Sequence, residues 1–162
     1  MKRTCLCAAL LGIGLLVGSL YLIAGPTAVA KGKYLGPDAV VAASDGSRLY
    51  VAQRDARQIA VVETASGKVV GSVSVPAEPT GLVLNKDSTK LYVTCAAPQS
   101  VVCVIETPAL KIARTLPAGH TAFGAALSPD GKRLYVCNCF NNNVSVLDLI
   151  TGKEIKIGRA HV

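Results

Sequence analysis

Short apolar segments bounded by turn residues occupy most of the chain after residue 36. In the first group, residues 39–42, 48–53, 59–62 and 68–75 are separated by polar stretches containing Gly, Asp and Ser. Short β-branched runs between turn residues predict β-hairpins. Outside the N-terminal segment, no apolar stripe with a 3.6-residue period persists beyond one turn, so helices are not expected there. The pattern predicts an all-β fold.

Several of these strands are apolar on both faces. Residues 49–52, 101–104 and 144–147 are continuous or nearly continuous apolar runs. A strand with one face in water would alternate apolar and polar residues, whereas a continuous apolar strand needs cover on both sides. The sheets are therefore expected to pack face to face.

One strand recurs three times at nearly constant spacing. Its tyrosines, Tyr50, Tyr92 and Tyr135, are 42 and 43 residues apart. A period of about 40–45 residues is typical of the four-stranded propeller blade. We therefore predict blades over residues 37–75, 76–118 and 119–156. The repeated signature positions are Leu49, Tyr50, Val51, Leu91, Tyr92, Val93, Leu134, Tyr135, Val136 and Asn138.

The N-terminus has a different pattern. Residues 1–3 are basic, residues 4–24 carry no charge, and Ala28 and Ala30 form a small-x-small cleavage pattern. These features predict an apolar signal helix over residues 1–30, cleaved after Ala30. An uncleaved membrane anchor is the alternative, because the apolar run approaches the ~20 residues that span a bilayer. The remaining chain is expected to be exported to a periplasm, a cell surface or the extracellular space.

The charge pattern argues against a nucleic-acid partner. The chain has 17 Lys and Arg against 10 Asp and Glu, a net charge of +7 that falls to +5 without Lys2 and Arg3. The remaining charges are scattered over turns, and aromatic residues make up only 4% of the chain. A nucleic-acid footprint would show a basic run with interleaved aromatics. Membrane contact is expected only through an uncleaved N-terminal segment.

Four cysteines follow the N-terminal segment: Cys95, Cys103, Cys137 and Cys139. Export would permit disulfides, and four cysteines allow three pairings. Cys95 and Cys137 lie near the ends of equivalent strands and could link neighbouring blades. Alternatively, a thiol such as Cys103 in an apolar strand packs as a small hydrophobe. The single residue between Cys137 and Cys139 is shorter than usual zinc-ligand spacing, so no metal site is predicted.

No catalytic constellation is visible. His120 lies between the second and third repeats without a carboxylate nearby in sequence, and we expect it in an exposed loop. Asp45, Asp87 and Asp130 recur at one repeat position, where aspartates usually accept hydrogen bonds from their own backbone and form turns. Residues 141–143, three asparagines, suit a left-handed turn. We predict no catalytic residue and no cofactor in this chain.

The repeats resemble the YVTN β-propeller repeat, the third most fully. Residues 134–138 are similar to its Leu-Tyr-Val-x-Asn strand, residues 128–131 to the turn before that strand, and residues 64–68 to its Thr-x-x-Gly-Lys turn. The resemblance extends over residues 37 to about 156. It implies a ring of about seven blades, of which this chain would hold about three.

Three residues depart from that repeat. Gln53 and Cys95 replace the signature asparagine in the first two repeats, and Leu110 occupies a glycine position in a turn of the second. These departures concern local turn geometry rather than the fold.

The resemblance implies a scaffold, because the loops of a propeller rather than its fold determine what it binds. We expect an exported, non-catalytic module that binds a protein or small molecule on its loops. The alternative is the N-terminal propeller of a periplasmic redox enzyme linked to haem or quinone, since similar propellers occur joined to such domains. A third possibility is a three-repeat protein that completes its ring by oligomerising.

Residues 157–162 interrupt the repeat where further apolar strand residues would be expected. They read as the translation of a common sequencing adapter, so we expect them to be non-native and place the propeller domain at residues 31–156. Re-amplifying and sequencing the locus should show coding sequence that continues beyond Lys156. A native stop codon directly after Val162 would contradict this expectation.

Overall fold

The computed structural model describes residues 34–159. Within this range the strands form three antiparallel four-stranded sheets, which confirms the all-β prediction. No helix in the range is long and apolar enough to cross a membrane. The predicted signal segment, residues 1–30, lies outside the described residues, so its cleavage and its helix stay predictions.

Each sheet is a meander of four consecutive strands and is called a blade below. Blade 1 contains β1 (Pro37–Ala42), β2 (Arg48–Gln53), β3 (Gln58–Glu63) and β4 (Val69–Ser74). Blade 2 contains β5 (Glu78–Leu84), β6 (Lys90–Ala96), β7 (Val101–Glu106) and β8 (Lys111–Pro117). Blade 3 contains β9 (Ala122–Leu127), β10 (Arg133–Asn138), β11 (Asn143–Asp148) and β12 (Glu154–Arg159), with a short 3-10 turn at Cys139–Asn141. The backbone of residues 157–159 continues β12 opposite β11.

The three signature tyrosines occupy equivalent places in successive sheets, as predicted. Each lies opposite a valine of the next strand: Tyr50 opposite Val61, Tyr92 opposite Val104, and Tyr135 opposite Val146. Their exposed fractions are 2%, 5% and 37%, respectively. The first two are covered by the following blade, whereas no described blade follows the third.

Two layers of apolar side chains join the blades. Leu91 and Val93 of β6 face blade 1, whereas Tyr92 between them faces blade 3. Successive strand residues point to opposite faces, so one strand contributes to both layers. Burying a large apolar side chain such as Leu91 contributes about 1.5–3 kcal/mol. The double-sided cover explains why the central strands of blade 2, β6 and β7, are apolar at most positions.

Leu110 preserves a turn in which the sequence lacks the usual glycine. Gly67 and Gly152 adopt φ of 65° and 74° in the turns between the third and fourth strands of blades 1 and 3. Leu110 adopts φ of 49° at the same place in blade 2. A left-handed conformation costs a residue with a Cβ roughly 1–2 kcal/mol. The Leu110 side chain packs against the layer between blades 1 and 2, which offsets part of that cost.

Gly81 lies at a close approach of blades 2 and 3. A Cβ added there would lie 2.7 Å from the Cα and 2.9 Å from the backbone N of Gly124. The Thr80 hydroxyl donates a hydrogen bond of 2.7 Å to the Ala122 carbonyl beside this contact. The Oγ1 of Thr94 would lie 2.8 Å away, but the two Gly124 atoms belong to the backbone and cannot rotate away.

We expect Gly81→Ala to destabilise the fold by about 1–3 kcal/mol, the usual cost of overpacking. Gly71→Ala is the matched control, because its added Cβ would meet only the Cδ1 of Leu110, the end of a flexible side chain. Both changes stiffen the unfolded chain similarly, so their difference reports on packing in the native state. Urea unfolding measures both free energies, and equal losses would contradict the assigned contact.

Candidate functional site

Two grooves run between neighbouring blades on the side where the first strand of each blade turns into the second. The 2–3 groove, between blades 2 and 3, has a volume of about 820 Å³. Its apolar lining residues include Leu84, Tyr92 and Leu127, and its charged lining residues include Lys86 and Lys90. This combination of apolar wall and charged rim suits ligand binding.

The 1–2 groove, between blades 1 and 2, has a volume of about 570 Å³. It contains Arg48, Tyr50 and Asp45. These are the repeat equivalents of Lys90, Tyr92 and Asp87. The groove therefore recurs at both blade junctions with a tyrosine, a basic residue and a turn aspartate in equivalent places, whereas Ser44 takes the place of Lys86 and, among the described residues, no leucine lines the 1–2 groove.

The aspartates of the 2–3 groove are engaged in their own turns. Asp87 accepts hydrogen bonds from the Thr89 hydroxyl at 2.7 Å and the Thr89 backbone N–H at 3.1 Å. Asp130 accepts hydrogen bonds from the Ser128 hydroxyl at 2.5 Å and the Lys132 backbone N–H at 3.1 Å. These bonds favour the ionised form and hold the pKa of both carboxyls below the ordinary value. The interpretation as turn formers agrees with this geometry.

Lys86 and Lys90 are exposed at the rim of the 2–3 groove. Among the side chains that the structure describes, a single ion pair joins Arg54 to Glu78 at 3.1 Å, at the opposite ends of the strands. The two lysines are therefore available to an anionic group on a ligand.

The loops at the opposite ends of the strands hold His120. Its ring packs on Phe140 with centroids 4.9 Å apart, and its backbone N–H donates to the side chain of Asn141. His120 is consequently partly buried rather than in an exposed loop, because the connection between blades packs on the β10–β11 turn. Asn142 in that turn has φ of 50° and ψ of 42°, the left-handed conformation expected for residues 141–143. Among the described residues, no group of three or more His, Cys, Asp or Glu could hold a metal.

The signature asparagine ties a connection to its blade. Asn138 is buried, and its side-chain oxygen accepts a hydrogen bond from the Gly119 backbone N–H at 3.0 Å. Its side-chain nitrogen donates to Asn143 at 2.8 Å and to the Ser145 hydroxyl at 2.7 Å. The sequence identified Asn138 as a signature position but gave no sign of these partners.

The structure brings together two of the four cysteines. The sulfurs of Cys95 on β6 and Cys103 on β7 are 3.7 Å apart, and both residues are fully buried. Cys137 and Cys139 are exposed. Cys137 is next to buried Val136 on β10, so its side chain points to the opposite face of the strand, away from blade 2. The structure does not bring Cys95 and Cys137 together, and all four residues are free thiols.

Comparisons with known proteins agree with the blade architecture. No protein-family model matches the chain. The chain is 31% identical over 127 residues to the seven-bladed beta-propeller protein Rv1057 of Mycobacterium tuberculosis, a match that covers 75% of this chain and 32% of that protein. The structure is similar to Kuenenia stuttgartiensis hydrazine synthase, with a TM-score of 0.71 and 24% identity over 82% of this chain and 38% of that one. The chain thus has the β-propeller fold and spans about a third of the length of the curated relative.

The Asp87 turn predicts a pH dependence of stability. The folded-state pKa of Asp87 is lowered, so its turn contributes stability that is fully present above the unfolded-state pKa and is lost as pH falls through the folded-state pKa. Asp87→Ala should therefore lower the free energy of unfolding at neutral pH. The deficit relative to the native protein should shrink below about pH 4.

Urea unfolding across an acidic pH series measures this difference. Asp38→Ala is the matched control, because it removes an exposed carboxylate on β1 that forms no hydrogen bond to another described residue. If both variants showed the same deficit at every pH, the turn would not be the cause.

Proposed function

We propose that this chain is the blade-bearing part of an exported, non-catalytic binding protein of the YVTN type, whose ligand occupies the grooves between its blades. The signal-like pattern of residues 1–30 supports export. The similarity to a seven-bladed beta-propeller protein supports a scaffold role. A propeller binds through its loops and edges, while its strands supply rigidity.

The observation that carries the proposal is the recurrence of the groove. Both junctions of the described blades form a groove on the same side, with a tyrosine, a basic residue and a turn aspartate in equivalent places. Because the turns of successive blades are alike, neighbouring grooves present similar chemistry. A ligand would therefore meet a tyrosine, a basic residue and a turn aspartate in either groove, whereas Lys86 belongs to the 2–3 groove alone.

The lining of the 2–3 groove indicates the chemistry of the ligand. Leu84, Tyr92 and Leu127 provide apolar surface, and Lys86 and Lys90 provide hydrogen-bond donors with positive charge. Each groove aspartate forms its turn hydrogen bonds through Oδ1, which holds its carboxylate in the turn. We infer a ligand that combines an apolar group with a carboxylate, such as an acidic peptide segment.

A second candidate is the propeller part of a periplasmic redox enzyme. The likeness to hydrazine synthase supports it only at the level of the fold, because the two chains are 24% identical and this chain covers 38% of that one. A longer reading frame would separate the candidates. A Cys-x-x-Cys-His haem motif would favour the enzyme, and further plain repeats would favour the binding protein.

The groove proposal predicts a binding pattern in a random-peptide phage library selected on the purified full chain. Selected peptides should combine acidic and apolar residues. Lys86→Glu/Lys90→Glu should weaken binding of a selected peptide by about tenfold or more, since charged hydrogen bonds are lost and repulsion is introduced. Titration of the synthesised peptide, followed by fluorescence anisotropy, measures the dissociation constants.

Lys68→Glu is the control, because Lys68 is an exposed lysine in the β3–β4 turn of blade 1, whereas blades 2 and 3 line the 2–3 groove. It should leave the affinity within about twofold, since a distant exposed charge is largely screened. Equal losses in the two variants would indicate general electrostatic attraction. A selected peptide that bound the double variant as tightly as the native protein would rule out the groove.

A further inference from the structure

Cys95 and Cys103 form a dithiol pair inside blade 2. Cys95 is opposite Val101 and Cys103 is opposite Val93, so the two cysteines are diagonal neighbours across β6 and β7. Their sulfurs are 3.7 Å apart in the apolar layer between blades 1 and 2, and neither residue is exposed to solvent. The pair thus lies on one face of one sheet, in surroundings unlike those of the exposed Cys137.

Blade 3 holds a polar pair at the same two register positions. Asn138 and Ser145 are the equivalents of Cys95 and Cys103. The Asn138 side chain donates a hydrogen bond to the Ser145 hydroxyl at 2.7 Å. In this repeat, the two positions are therefore close enough for their side chains to bond directly.

We propose that Cys95 and Cys103 form an intramolecular disulfide that links β6 to β7 when the protein folds in the presence of a disulfide oxidant. Among the three possible pairings of the four cysteines, this geometry selects the one within blade 2. A disulfide has a sulfur–sulfur distance of about 2.05 Å, so each sulfur would move by less than about 1 Å. Diagonal strand neighbours typically have Cα atoms about 7–8 Å apart and disulfides at most about 6.8 Å, so rotation about χ1 is accompanied by a small local approach of β6 and β7. The inference does not depend on the groove or its ligand.

The chemistry is thiol–disulfide exchange with a disulfide such as oxidised glutathione. The thiolate of one cysteine attacks an oxidant sulfur, which forms a mixed disulfide and releases one glutathione thiolate. The thiolate of the second cysteine attacks the protein sulfur of that mixed disulfide and releases the other glutathione. Two protons leave the protein thiols, and the oxidant accepts two electrons as it becomes two thiols.

Burial determines when this exchange takes place. In the folded chain, the hydrogen bond with Cys103 and burial raise the pKa of Cys95, whereas the hydrogen bond with Cys95 lowers the pKa of Cys103. Burial opposes a thiolate at either sulfur. An oxidant also has no direct access to two fully buried sulfurs. Exchange is therefore expected before blade 1 closes over blade 2, and the completed disulfide is then shielded from reductants.

The test is to refold the purified full chain from denaturant in either oxidised or reduced glutathione. Free thiols are then alkylated under denaturing conditions, and the protein is digested with trypsin for mass spectrometry. Both cysteines lie in the tryptic peptide from Leu91 to Lys111, which contains no internal Lys or Arg. After oxidative refolding, this peptide should be mostly unalkylated and two hydrogen masses lighter, whereas after reductive refolding it should carry two alkyl groups.

Timing provides a second measurement. Folded, reduced protein placed in the oxidising buffer should form the disulfide at least about tenfold more slowly than refolding protein, because exchange must wait for local opening. Equally rapid oxidation of folded protein would overturn the proposed order of events.

Two double variants serve as controls. Cys137→Ser/Cys139→Ser removes the exposed thiols and should leave oxidation of the peptide unchanged. Cys95→Asn/Cys103→Ser installs the blade 3 pair and should abolish any difference in Tm between oxidising and reducing buffers. After oxidative refolding of the native sequence, glutathione adducts, two alkylated cysteines in the peptide, or a cross-link of Cys95 to Cys137 would each overturn the proposal. These readouts do not require the Asn/Ser variant to fold.

Discussion

The structure depends on the burial of both faces of a thin sheet. Blade 2 is four strands wide and one residue thick, and alternate residues of β6 enter different apolar layers. Blades 1 and 3 lack described neighbours on one side, where Val40 is 63% exposed and Tyr135 37% exposed. The equivalent residues of blade 2 are less exposed: Leu82 is partly buried and Tyr92 is buried. A blade is therefore stabilised mainly by its contacts with the neighbouring blades, as in other repeat proteins in which each unit contacts only its neighbours.

The same stacking explains the grooves. The apolar layers join the blades through strand residues, whereas the turns extend beyond the layers and leave space between them. Gly46, Ser88 and Gly131 all adopt a left-handed φ at the same turn position, with values of 70°, 56° and 67°. A common turn geometry presents the recurring aspartates and basic residues at similar heights. The grooves recur because the turns do, even where the turn residue is not glycine.

Much of the fold follows from local pattern, but the site contacts do not. The strand predicted at residues 48–53 coincides with β2, because β-branched residues and turn signals define it locally. The repeat spacing alone also aligns Cys137 with Thr94 rather than with Cys95. Neighbouring strand residues point to opposite faces, so the side chains of Cys95 and Cys137 point in different directions relative to their blades. By contrast, the packing of His120 on Phe140 joins residues of two separate loops. No sequence period signals such a contact, and groove dimensions likewise depend on the spacing of whole sheets.

One repeat position shows how surroundings determine side-chain chemistry within a constant frame. Gln53, Cys95 and Asn138 are equivalent, and each contacts its own third strand. Gln53 accepts a hydrogen bond of 2.5 Å from Gln58 on the half-covered outer face of blade 1. Asn138 is buried but meets the backbone N–H of Gly119, so its amide is satisfied.

Cys95 occupies the position where the cover is mainly apolar. A side-chain oxygen there would meet the backbone N–H of Ala77, as Asn138 meets that of Gly119, but an amide NH2 beside Cys103 would lack the oxygen partners of Asn138 and cost about 1–3 kcal/mol. A thiol costs little because it packs as a small hydrophobe. Among the described residues, no buried side-chain nitrogen or oxygen lacks a hydrogen-bond partner. The departures from the repeat signature are thus consistent with one rule: the polarity of each side chain matches what the neighbouring blade and loop offer it. A thiol at this position has the additional property that it can react with the thiol across the strand.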